Sequence, residues 1–166
     1  MTSIANLAAA VLNPQVLSLF AALALLSFLA RRSVARALKS SPAKAFWALT
    51  SLAAVVSVTL LGRHFEGLAP SFWLTDRTLW HGVFNSQQSN FVLNLVLFVP
   101  AGVAIALVLR RPILALISLS VLSFAIECLQ QVSGFGAPDP ADWVANSIGA
   151  AAGVLVSLIW QKRSKN

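Results

Sequence analysis

The sequence predicts an all-α fold, a polytopic transmembrane helical bundle of five spans, and three observations predict it. Five apolar runs approach the ~20 residues that a bilayer-crossing helix needs. Charged residues make up 10% of the 166 positions. A soluble globular chain carries about 25%, so this chain has too little charge to clothe a water-facing surface. The basic residues, finally, fall in alternate connections between the apolar runs.

The first span runs roughly from Pro14 to Ala30. The Asn13-Pro14 pair suits a helix start, because proline at the first helical position gives up no needed N–H. The second span is Ala45 to Gly62, the third Phe91 to Leu109, the fourth Ile113 to Val132 and the fifth Trp143 to Trp160. None has Lys or Arg in its interior. Each must be helical, since hydrocarbon satisfies no backbone amide. Residues 1–166 read as a single transmembrane domain.

Orientation follows from charge. Arg31, Arg32, Arg36, Lys39 and Lys44 lie between spans one and two, Arg110 and Arg111 between three and four, and Lys162, Arg163 and Lys165 in the tail. With five spans, these ten of the twelve basic residues share one side, and only Arg63 and Arg77 oppose them. The positive-inside rule makes that side cytoplasmic, placing the N-terminus outside and the C-terminus in the cytoplasm. None of the five acids lies in a cytoplasmic connection. This segregation accounts for the +7 net charge without nucleic acid, although a basic loop at Arg31–Lys44 also suits anionic lipid. The first Arg or Lys is Arg31, so no basic signal-peptide n-region precedes span one and no cleavage is expected. Trp143 and Trp160 bracket span five, ~25 Å apart along a helix, as interfacial belts require. The outside stretch from Arg63 to Asn90 repeats apolar residues at roughly helical spacing, interrupted by Pro70. An interfacial or re-entrant helix and an irregular loop folded over the bundle both fit it.

The chemistry lies in polar residues at membrane depth. Span three carries Asn94, span four Glu127 and Gln130, and span five Asp142 and Asn146. The charge pattern registers the spans, and Asn94, Glu127 and Asn146 then fall at one level in the outer third of the bilayer. An ionisable group there is costly and must face the bundle interior or a wet cleft. Glu127 and Asp142 are expected to share such a cleft, open to the outside. Interhelical hydrogen-bond glue is the competing reading. Ala141, Ala145, Gly149, Gly153 and Ser157 recur every four residues, and Gly149-x-x-x-Gly153 lets a neighbouring helix come close. In span three, Pro100 frees a backbone carbonyl and Gly102 adds room. The single cysteine, Cys128, reads as a buried, inert thiol.

Three motifs carry a resemblance. Asn94-x-x-x-Phe98-x-Pro100-x-Gly102, then Ser123-x-x-Ile126-Glu127-x-x-Gln130, then Asp139-x-x-Asp142-x-x-x-Asn146-x-x-Gly149-x-x-x-Gly153 occur in order. Together they resemble the signatures of VanZ-like membrane proteins, over about residues 90–156. The first two spans add only hydrophobicity. The family often has an arginine shortly before the first aspartate of the third motif, whereas this chain reads Gly134-Phe135-Gly136-Ala137-Pro138. That family takes its name from a protein linked to teicoplanin resistance. The resemblance implies a small multi-pass helical bundle of the bacterial inner (cytoplasmic) membrane, acting at or near the cell envelope. It supplies no reaction.

Three functions are weighed. In the first, Asn94, Glu127, Gln130, Asp139, Asp142 and Asn146 bind an envelope lipid or a lipid-linked glycan-precursor headgroup, without catalysis. Carboxylates suit amines and hydroxyls and repel a bare phosphate. In the second, the chain is an accessory or assembly subunit of a larger membrane protein complex, with Asp139 and Asp142 pairing a basic residue of another chain. In the third, ranked last, Glu127 and Asp142 act as acid and base. The sequence has no Ser-His-Asp set, no metal-type cluster and no phosphate-cradling loop, and His64 and His81 stand apart in the outer loop. No metal or cofactor is expected, and no residue is assigned as catalytic.

Overall fold

The structure, a computed structural model, describes residues 12–61, 72–84, 89–134, 136 and 138–164. Its described elements are six α-helices and one 3-10 turn: α1 (Pro14–Ala37), α2 (Pro42–Leu61), the turn Trp73–Thr75, α3 (Arg77–Phe84), α4 (Ser89–Leu109), α5 (Pro112–Ser133) and α6 (Pro140–Arg163). Five of them, all but α3, are long and apolar enough to cross a membrane.

Local chemistry sets the ends. The Asn13 carboxamide accepts the Gln15 N–H at 2.9 Å, with Pro14 in the first turn, as the Asn-Pro pair predicts. Asp139 repeats the device on α6, accepting the Ala141 N–H at 2.8 Å ahead of Pro140. Gly134 closes α5 in the left-handed region, at φ 71°. Several helices outrun their apolar cores. Span one continues to Ala37 and span two begins at Pro42 rather than Ala45. Span five takes in Pro140–Asp142 and Gln161–Arg163. A helix does not stop where hydrocarbon ends, and long basic side chains lay their stems back along it. Arg31 shows this: its guanidinium carbon lies 3.3 Å from the Phe28 ring centre, and the group donates to the Phe28 carbonyl.

The bundle is built around α4 and α6, whose mutual contact is the most extensive in the molecule. They run parallel, and glycine decides how close they come. A Cβ placed on Gly149 would strike the Leu95 carbonyl, and one on Gly153 would strike that of Val99 and reach the Val103 nitrogen at 2.9 Å. One on Gly102 would meet the Ala150 carbonyl. Here backbone lies directly on backbone, with no side chain between, as the small-residue spacing predicts. Helix α5 packs antiparallel to α6, and α2 packs on α4 through Val55, Phe98 and Ala101. Helix α1 packs mainly on α2, at the rim.

The two ends of the bundle differ in charge. Asp76, Glu127, Asp139 and Asp142, with Arg77, belong to one, the acidic end; Arg110, Arg111, Lys44, Lys162 and Arg163 belong to the other, the basic end.

The connection between α2 and α4 is partly described. Residues 62–71 and 85–88, which include His64, lie outside the described residues. The remainder combines elements of both readings. It is a 3-10 turn folded onto the bundle, followed by the eight-residue α3.

Candidate functional site

One face of α5 organises the acidic end. Ser120, Ser123, Glu127 and Gln130 recur at helical spacing and are directed at neighbouring helices. The Ser120 and Ser147 hydroxyls lie 3.0 Å apart, and Ser120 also accepts the Trp143 indole N–H at 3.2 Å. One turn further, the Asn146 amide donates to the Ser123 hydroxyl at 2.9 Å. Next along the seam, the Glu127 carboxylate accepts the Asp139 backbone N–H at 2.9 Å. Gln130 turns aside to α2 and donates to the Thr59 carbonyl at 3.2 Å. That carbonyl lies near the end of the described part of α2.

All five intramembrane candidates are enclosed. Glu127 and Asn146 are 1% exposed, Gln130 and Asp142 2%, and Asn94 3%. This corrects one expectation: Glu127 and Asp142 do not line an open cleft but sit inside the protein. Both carboxylates gather at the start of α6, Asp142 in its first turn and Glu127 on the N-cap amide. The unpaired amides and positive dipole end of that helix favour negative charge there. Asp139, by contrast, is half-buried, and one of its oxygens is engaged as the cap of its own helix.

Part of the cover is Trp73. Its backbone N–H donates to Gln131 at 3.2 Å. Its ring is fully buried, 5.4 Å from Phe124 and 6.2 Å from Trp143 between centroids. Trp143 is therefore a half-buried partner in an aromatic cluster, not simply a residue of an interfacial belt. Trp160 is exposed, as a belt requires.

Several buried polar atoms lack a hydrogen-bond partner. Among the described residues these include Asn94 Nδ2, Gln130 Oε1 and Asn146 Oδ1, one from each of α4, α5 and α6. Buried polar groups are almost always satisfied, so such atoms require a cause.

A family model described as VanZ/LLP1 matches residues 16–161. The chain belongs to the VanZ/LLP1 family. The match takes in α1 and α2, beyond the motif region at 90–156, and the Gln130–Thr59 bond shows α2 reaching the polar seam. No curated protein and no solved structure matches the chain significantly. In this VanZ/LLP1 chain the family-type residues divide by role. Gly102, Gly149 and Gly153 make the α4–α6 contact, Pro100 lies within α4, and Asn94, Glu127, Gln130, Asp142 and Asn146 fill the acidic end. Ser120 and Thr59 take part without having stood out in the sequence, and Gln131, a polar residue of span four, also takes part. Ser120 had one signal, its seven-residue separation from Glu127, which puts both on one face.

Proposed function

We propose that the chain binds, without catalysis, the headgroup of an envelope lipid or lipid-linked glycan precursor at its acidic end. That end faces the outer leaflet, with the C-terminus cytoplasmic, in a bacterial inner membrane. The unpartnered amide atoms Asn94 Nδ2, Gln130 Oε1 and Asn146 Oδ1 carry this reading. Leaving a buried donor or acceptor unmade costs about 1–3 kcal/mol each. A ligand bearing hydroxyl or amine groups offers both the acceptor that Asn94 lacks and the donors that Gln130 and Asn146 lack. The carboxylates of Glu127 and Asp142 favour the same chemistry and disfavour a bare phosphate. Entry requires the Trp73 turn to move aside.

The accessory-subunit alternative would instead have Asp139 and Asp142 pair a basic residue of another chain, with one Asp139 oxygen already engaged as the α6 cap. The test is native mass spectrometry of protein released from membranes in mild detergent. A lipid adduct retained by the native chain and lost in Asn94→Leu, with melting temperature preserved, supports the reading. A stoichiometric partner protein with no lipid adduct overturns it.

A further inference from the structure

The basic end of the bundle holds a second feature, remote from the polar seam. A groove of about 640 Å³ opens between α1, α2, α4 and α6. Small residues make it, since Ala43, Ala54 and Ala104 line it where larger side chains would close it. Pro100 and Val103 form part of its α4 wall. Lys44, in the first turn of α2, stands at its mouth beside Trp47 and Trp160, which are 64% and 60% exposed. The Thr50 hydroxyl borders the same groove, buried and without a hydrogen-bond partner.

We infer that this groove holds one acyl chain of an anionic phospholipid, whose phosphate pairs with Lys44. The groove's volume lies in the 300–1,000 Å³ range of ordinary ligand pockets. Charge selects the headgroup. Lys44, Arg110, Arg111, Lys162 and Arg163 gather at this end, and every described acid lies at the other. Clusters of this kind at a membrane surface attract anionic lipid. The two exposed tryptophans fix the depth, because indole prefers the headgroup boundary. This site is independent of the acidic-end reading, and either stands if the other fails.

The experiment reads tryptophan fluorescence of the full chain in phosphatidylcholine vesicles. One set carries a small fraction of dibrominated phosphatidylglycerol, the other the same fraction of dibrominated phosphatidylcholine. The native chain is expected to show an apparent preference for the anionic quencher of about fivefold, the factor of a single lysine near an anionic partner. Lys44→Gln, an exposed position that leaves the fold intact, should abolish the preference. Ala54→Phe should fill the groove and lower quenching by both lipids, while Trp47→Phe with Trp160→Phe should remove most of the quenched signal. Equal quenching by both lipids in the native chain overturns the proposal. So does a preference that survives Lys44→Gln, or cross-linking that finds a second copy of the chain across the groove.

Discussion

The carboxylate of Glu127 on α5 holds the backbone N–H of Asp139 at 2.9 Å, tying the end of one span to the cap of the next. The bond crosses the connection formed around Gly134 and Gly136, both at positive φ. It aims negative charge at the positive end of α6.

Glu127→Gln should therefore fold, because a carboxamide oxygen can accept the same N–H. It should melt near the native temperature while losing any bound headgroup that needs the charge. Glu127→Ala leaves the Asp139 amide unpaired and should lose about 1–3 kcal/mol. Thermal unfolding in detergent separates them, and equal melting of the two variants would show that the bond contributes nothing.

Gly153→Leu should push α4 and α6 apart and lower stability by about 1–3 kcal/mol or more. Even Gly153→Ala meets the Val99 carbonyl, a backbone atom that cannot swing away. Ile148→Ala, at an exposed position on the same helix, is the control and should change little. Melting curves that rank Ile148→Ala below Gly153→Ala would contradict the packing described above.

Trp73→Ala should loosen the cover locally. Its ring contacts with Phe124 and Trp143 disappear, while the backbone N–H bond to Gln131 survives the substitution. Amide exchange at Thr75 and Asp76 should speed up while the α4 interior stays protected. Trp73→Phe, which keeps a ring in the cluster, should stay closer to native. Unchanged exchange in Trp73→Ala would mean that the turn is held by something else.

The ten-to-two division of basic residues predicts opposite placement of the termini, N outside and C in the cytoplasm. Tags on each terminus, probed from outside intact cells, should reveal only the N-terminal one. Exposure of the C-terminal tag alone would invert the orientation and place the polar seam at the inner face.

The spans were legible because burial in hydrocarbon is written in residue type. The α4–α6 contact was legible for a related reason, since only small residues permit it, and Gly149 and Gly153 mark one of its faces. The partners of the polar groups were less so. Gln130 bonds to the Thr59 carbonyl and Glu127 to the Asp139 amide, and a backbone group carries no residue-type signal. Depth along a helix could be counted from the sequence, but enclosure could not. Trp73, 54 positions before Glu127, folds against Phe124, Gln131 and Trp143 at the same end of the bundle, and nothing in the α5 pattern announces that contact. The helix ends were less legible where charge and helix overlap, as at Arg31–Arg36, because the apolar run ends before the helix does.

The parallel pairing of α4 with α6 also dictates an order of biogenesis. These two helices meet backbone to backbone, yet the whole of α5 separates them along the chain. While the ribosome has released only the first four spans, Glu127 has no Asp139 amide to hold and Asn94 has no α6 beside it. Assembly of the acidic end must therefore wait until the fifth span leaves the translocon. Until then the bilayer contains an exposed carboxylate and a bare glycine face, the kind of intermediate that membrane chaperones and proteases detect. A nascent chain stalled at Pro140 should accordingly be short-lived.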